Sequence, residues 1–552
     1  MNAPRDQIVR QFRHILLWPL QLVAPPGRER AQPWSELFEA EDVSGLWQAE
    51  ESAFEAPEGA IEAGRYHEFM AFLPSVRRFL YGQGRGPNAH PNYGESPIRV
   101  YARSDIDRAV IELTDGWSTE LQVVNCRLMF FYDVDITILV MELAAENLPL
   151  ERAIDIQYRL GRAFPSGWHR DGRAVHCARS VRWLAADDSE IARSDFDAAE
   201  KYLQAVRVHR AATVAEHWIA LLRPMTLHFS MEHGPVRFRQ VEHQRMPSLS
   251  YLSVDDPFSI DEADFIRLAL GLAPDSPLAA SPDAARALRD EHAYDRYWSP
   301  SSQDLALSTR VLCNGHATTF VGSANNPAFA DSESGLLTEY RHQIKLLTLI
   351  AHFHRAAILL QSDQQVYAVS QLDLDDPVSV SAFKRRVRRS LESFLRFNHR
   401  YWFHEISNQP LQAALFGMMR RQLNVDALFD EVREEVLDMS QYLDSDDARR
   451  QSESVLRLTV VTILGMVATI ATGFLGMNLF AMADWGGAAK FGVWMLVLLP
   501  TVLLTIVTVR YSRSLSRWLD RLGRDQQPGL LRQRGTWNSR GRGDDNDQGR
   551  MR

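Results

Sequence analysis

LTVVTILGMVATIATGFLGMN, residues 458–478, contains no Asp, Glu, Lys or Arg, and the charge-free stretch continues to Ala483. A helix of about 20 residues rising 1.5 Å per residue spans the roughly 30 Å hydrocarbon core of a bilayer. This stretch is long enough, and a second one, Phe491 to Val509, follows after a short loop. Two such lengths so close together are hard to place inside a soluble core. The first run begins at Val455 and carries one charge, Arg457, near its start, where a long basic side chain can reach the headgroups. Pro500 in the second is tolerated because neighbouring helices or waters can satisfy the carbonyl it frees.

Basic residues orient the pair. Arg449, Arg450 and Arg457 lie before or at the start of the first run, and Arg510, Arg513, Arg517, Arg521 and Arg524 follow the second. The intervening loop carries only Asp484 and Lys490. The excess of positive charge outside the loop predicts a multi-pass protein of the cell membrane with both termini in the cytoplasm and the loop facing outward. The expected layout is a transmembrane helix at 455–477, an external loop at 478–490, a second transmembrane helix at 491–509 and a basic, largely disordered tail at 510–552. The tail's arginines suit anionic lipid headgroups or a basic collar at the cytoplasmic mouth of a pore.

What precedes the spans is large. The chain has 552 residues and a net charge of -9, which argues against nucleic acid as a partner for the bulk of it. Cys126, Cys177 and Cys313 are too few and too scattered for a disulfide framework or a cysteine metal site. His14 to Pro26 is apolar but short and interrupted by Pro19, and reads as part of a soluble domain. The Gly-rich stretch from Gly82 to Pro97 lacks phosphate-loop spacing and reads as a loop.

Alternating apolar patterns predict strands at Ile98 to Tyr101, Arg108 to Leu113, Leu121 to Tyr132, Ile136 to Leu143, Phe238 to Val241 and Leu249 to Val254. Helical spacing appears at Leu150 to Phe164 and Asp261 to Leu272. This predicts an α/β or α+β domain over 1–335, with insertions at 274–304. Helices dominate from about 336, at Thr338 to Leu360 and Ser381 to Ile406, with a break at Pro410. In the predicted stalk, 336–454, Val425, Phe429, Val432, Val436, Met439 and Leu443 recur at steps of four and three, a seam for helix packing. No strong helix breaker lies between Asn424 and Gly465, so one long helix is expected to continue into the first span.

Within that span Thr459, Thr462, Met466, Thr469, Gly473 and Gly476 share one helix face. Small residues allow helices to approach closely, and Thr hydroxyls can bond to a carbonyl, to another helix or to water in a lumen. Plain packing in a dimer and a pore lining are the two readings of the stripe.

The tripeptide Gly476-Met477-Asn478 closing this span, with Leu458-Thr459 opening it and Leu428-Phe429-Asp430-Glu431-Val432-Arg433-Glu434 leading in, resembles the CorA-type magnesium transporter family. The likeness in detail covers roughly Asn424 to Arg513, and upstream it concerns architecture alone. It implies a funnel-shaped homopentamer in the lipid bilayer, with five copies of the first span around a pore. It also implies hydrophobic constrictions at Leu458 and Met466, polar pore positions at Thr459, Thr462, Thr469 and Gly473, and a selectivity filter of Gly476, Met477 and Asn478. The cargo implied is a divalent cation, magnesium first, with cobalt or nickel as further candidates. Acidic residues at four-residue steps, Asp426, Asp430, Glu434 and Asp438, are by the same likeness regulatory metal ligands; a solvated helix face is the plainer reading.

The chain departs from the family pattern in two places. Leu479-Phe480-Ala481-Met482-Ala483 is apolar where many members have an acid, and Ser452 stands where Asn is frequent. Two alternatives therefore stay open: a zinc transporter of the same family, and a non-conducting membrane-anchored sensor or scaffold. His352 and His354, two apart on a helix, point to different faces and do not make a metal pair. With no nucleophile elbow, phosphate loop or H-E-x-x-H, neither enzyme chemistry nor a resident cofactor is expected.

Overall fold

The computed structural model describes residues 7–23, 46–50, 63–82, 97–131, 134–230, 234, 236–242, 244–277, 281–302, 304–373, 376–478, 484–496, 499–503 and 507. The chain divides into two compact units between Asp438 and Met439.

The first unit is built on one mixed sheet. Its order from one edge is Ala293–Tyr294, Arg310–Cys313, Ala317–Ser323, Ser248–Val254, Ile8–Val23, Ile136–Pro149, Ser118–Phe131, Arg108–Glu112, Ser180–Leu184 and Glu190–Asp195. Along this path only Ser248–Val254 and Ala317–Ser323 run parallel. The sheet buries both faces. Phe12, Leu16, Trp18 and Leu20 enter one core while Ile15 and Leu17 enter the other. In the next strand Leu139, Met141 and Leu143 likewise oppose Ile136, Ile138 and Val140. This is the two-residue period of a pleated strand with apolar side chains on both sides.

Ile8–Val23 is the strand on which the sheet turns. It pairs with Ile136–Pro149 along one side; on the other it pairs with Ser248–Val254 through Val9 to Leu16, then with Arg237–Gln240 through Leu20 to Val23. Pro19 falls between these two partners, an irregular position of the kind that accepts a proline.

Helices cover the two faces. Leu150–Arg159, Glu216–Leu222 and Glu262–Leu270 supply Ile154, Ile156, Trp218, Leu221, Phe265 and Leu268 to the first core. Glu262–Leu270 starts where Asp261 accepts a hydrogen bond from the Ala263 N–H and stops at Gly271 in the left-handed conformation, φ 62°. The second core is closed by Lys345–Ser370, Pro377–Arg400 and Pro410–Gln422. Phe353 stacks on Phe131 with ring centroids 4.1 Å apart, and the Tyr340 hydroxyl donates to the Leu249 carbonyl at 2.7 Å. Pro410 stands in the first turn of its helix, where the missing N–H is harmless, so the break expected there is a helix start.

Residues set apart in sequence as a stalk from 336 onward thus begin as a layer of the sheet domain. One helix among the described residues, Leu336–Ser370, passes a length and composition test for membrane crossing, with mean hydropathy 1.2, but 83% of its most apolar window is buried. His352 and His354 lie inside it, both buried, and His354 Nε2 sits 2.6 Å from the Tyr401 carbonyl oxygen. Burial holds both imidazoles down at about 3, neutral near pH 7.

Candidate functional site

The helix that carries the tripeptide is Val425–Asn478. Asn424 precedes it at φ 52°, a left-handed conformation Asn tolerates, which separates it from Pro410–Gln422. Val425, Phe429, Val432 and Val436 are buried in the second core of the sheet domain, so the first four positions of the expected seam pack within this chain. Phe429 lies flat on Trp402, centroids 4.2 Å apart.

Asp426, Asp430, Glu434 and Asp438 occupy the exposed side of the same turns. Asp426 is paired with Arg420, and Asp430 lies 3.7 Å from Arg433. Among the described residues no group of three or more His, Cys, Asp or Glu side chains is placed to hold a metal ion. Within one chain, the acidic run is a solvated, partly neutralised helix face.

In the second unit the helix changes character. Leu458, Thr459, Thr462, Met466, Thr469, Gly473 and Gly476 are all exposed. So are Val455, which continues the stripe, and Val461 and Ile463 on its two flanks, so the exposed apolar surface is wider than the stripe. Leu458 is 67% and Met466 63% exposed. The helix Gly487–Leu503 repeats this, with Phe491, Leu496, Leu499 and Leu503 outward and Leu496 at 73%. Gly476, Met477 and Asn478 are the last three residues of the long helix. The loop residues 479–483, the tail from 508 and parts of the second apolar run lie outside the described residues.

The threonines resolve one ambiguity in the stripe. Thr459 donates to the Val455 carbonyl at 2.8 Å, Thr462 to Leu458 at 2.8 Å and Thr469 to Gly465 at 2.8 Å. Each hydroxyl hydrogen is therefore spent on its own helix, and the oxygen faces outward as an acceptor. A Cβ added at Gly465, Gly473 or Gly476 would meet nothing within 4 Å. A glycine inside a helix costs about 1 kcal/mol relative to alanine, and no contact among the described residues requires these three. Gly465, three residues after Thr462 and four before Thr469, shares the face of the stripe, although it is missing from the residues named for it from sequence.

No family model, curated protein or solved structure matches this chain.

Proposed function

We propose that the protein is a divalent-cation channel of the cell membrane, with residues 455–477 and 491–509 crossing the bilayer and the first span lining a pore shared by several copies. The observation that carries this reading is a charge-free helix with apolar side chains exposed along the Thr and Gly stripe and on both its flanks, ending at Gly476-Met477-Asn478. A helix apolar on every side is at home in lipid or between other helices. The open space beside Gly473 and Gly476 supports close approach by a second copy of the helix, and the resemblance to the CorA type makes the assembly a pentamer.

In such a pore the chemistry suits a hydrated ion. Magnesium gives up water reluctantly, so the lining needs acceptors for the hydrogens of bound water and does not need ligands that strip it. Threonine oxygens whose hydrogens are tied to carbonyls offer this at Thr459, Thr462 and Thr469. A ring of Asn478 amide oxygens would offer it at the mouth, neutral and so weak enough to release the ion. Leu458 and Met466 would close the lumen by dewetting. The membrane potential drives a divalent ion with about 4.6 kcal/mol at 100 mV.

The test is divalent-ion flux into proteoliposomes, comparing magnesium, zinc, cobalt and nickel, with Asn478→Ala beside the wild type. Flux whose rate or ion preference changes in the variant is the expected result, and the preferred ion separates the magnesium and zinc readings. Silence with every ion at every internal magnesium level would leave the anchored sensor or scaffold.

A further inference from the structure

On the first-core side of the sheet domain, far along the chain from the spans, two arginines lie side by side without an acid bonded to either. Helix Leu150–Arg159 ends at Leu160, and Gly161 turns the chain at φ 77°. Arg162 then forms an isolated antiparallel bridge with Arg245, flanked by hydrogen bonds from Ala163 N–H to the Gln244 carbonyl and from Met246 N–H to the Gly161 carbonyl, both 2.8 Å. Bridge partners in an antiparallel pair lie about 5 Å apart and project to the same side.

Arg162 is only 7% exposed. Its Nε donates one long hydrogen bond to the Tyr158 carbonyl at 3.2 Å, and the guanidinium lies 5.2 Å from the Tyr158 ring centroid. Arg245 donates through Nη1 to the Gly271 carbonyl at 3.1 Å, while its Nη2 is sealed from solvent and has no partner. Neither guanidinium makes an ion pair among the described residues. The acids nearby are committed or distant: Asp155 pairs with Arg159 at 2.6 Å, and exposed Asp275 acts on Tyr158 and Asp155 without bonding to either arginine. Burial and mutual repulsion lower Arg245 to about 10, and burial with the Arg245 charge holds the neighbouring His14 at about 3. His14 Nε2 is a second buried atom with no partner. At the exposed side Tyr158 and His176 are hydrogen-bonded to each other.

Two helix ends explain part of this, since each guanidinium caps a C-terminal carbonyl. They do not explain a buried and a half-buried cation paired across one bridge with no acid bonded to either and one donor, Arg245 Nη2, left unspent, a costly arrangement unless something compensates the charge. Gly271 shows that the placement of Arg245 is built: a Cβ there would lie 2.2 Å from its Nη2.

We propose that the Arg162–Arg245 pair binds a phosphate group, free or carried by a small metabolite. Two adjacent guanidiniums present forks that match tetrahedral oxygens, and a phosphate monoester at neutral pH carries close to the two negative charges needed. A single carboxylate carries one. The site is independent of the pore reading, and its test does not depend on transport.

The experiment is calorimetric titration of the detergent-purified full chain with inorganic phosphate, adenosine monophosphate and citrate at matched ionic strength, on wild type, Arg245→Lys and Arg162→Gln/Arg245→Gln. Saturable phosphate binding by the wild type is expected, weakened by about tenfold in the lysine variant, which keeps charge but loses the fork, and abolished in the double variant. Tighter binding of the nucleotide than of the free ion assigns a phosphorylated metabolite; equal or weaker binding assigns the ion itself. The proposal is overturned by absent phosphate binding in the wild type, by an unchanged affinity in Arg245→Lys, or by citrate binding as tightly as phosphate. Removing unpaired buried charge should not unfold the domain; if the double variant does unfold, the lysine variant decides.

Discussion

The sheet domain and the C-terminal helices both carry long apolar segments, yet they treat that surface in opposite ways. Ile8–Val23 and Ile136–Pro149 hide Trp18, Leu20, Ile138 and Leu143 between layers of helix. Residues 455–503 hold Leu458, Met466, Leu496 and Leu503 outward. A folded chain that can close two cores around one sheet does not leave such a surface bare for want of apolar partners. The contrast teaches that the two regions present their apolar surface differently, one satisfied by its own chain and one left exposed, which on the proposed reading is completed by lipid or by further copies.

The sharpest way to break this contrast is to truncate one large side chain in each region. Phe353 is fully buried and stacked on Phe131, so Phe353→Ala should destabilise the sheet domain by about 3–5 kcal/mol through lost contacts and a cavity. Leu458→Ala should leave the denaturant midpoint of that domain unchanged, because Leu458 is exposed. Equal losses in both variants, read by tryptophan fluorescence in urea, would mean that the C-terminal helices fold as part of the same core.

A charge placed in the outward surface comes next. Ile463→Arg puts a guanidinium three residues from the centre of the expected span 455–477, which costs up to about 2.5–3.5 kcal/mol in a membrane helix and close to nothing on a water-facing one. Loss of the protein from the alkali-resistant membrane fraction is the expected outcome. Undiminished membrane retention would remove the first span from the reading.

The regions differ equally in how they handle charge. The sheet domain buries ionisable groups: the Glu242 side chain is 5% exposed, and burial lifts its carboxyl from the ordinary 4.5 to about 7 although Arg355 lies 3.5 Å away. A carboxyl whose pKa is raised by folding favours the folded state below its unfolded pKa. That contribution is lost as the pH rises from about 4.5 through about 7. Over this window it amounts to at most about 3 kcal/mol. Glu242→Gln should flatten this fall in melting temperature, and a wild type whose stability rises through the same window would contradict it.

How much of this is legible in the sequence follows from the same contrast. Strands such as Arg108–Glu112 and Ile136–Pro149 show in their apolar content, and Pro377–Arg400 in its helical spacing, with Asp376 capping two N–H groups at its start. The central strand Ile8–Val23 did not show as a strand. Its continuous apolar run, Ile15–Leu20, is short and buried on both faces, so it shows no alternation; Arg10, Gln11 and Arg13 precede it, and Pro19 argues against a sheet interior until the change of neighbour beside it is known. The spacing of the Thr and Gly stripe placed its residues on one helix, but not that the hydroxyl hydrogens turn inward to Val455, Leu458 and Gly465. The Arg162–Arg245 pair was invisible, because a loop bridge between distant segments leaves no periodicity to read.

The smallest free-energy change separates the regions most finely. Gly473→Ala adds a methyl group where this chain offers no neighbour within 4 Å, and it removes a residue that weakens a helix by about 1 kcal/mol. Taken alone, the helix should gain. If Gly473 is glycine because another copy's backbone or the pore lumen lies against it, the same methyl should weaken the oligomer and lower ion flux while leaving the melting of the sheet domain unchanged. Cross-linking of the membrane-embedded protein beside flux gives both readings. A variant that assembles and conducts like the wild type would show that the space beside Gly473 is filled by lipid, and the pore-lining face would then have to be sought elsewhere on the helix.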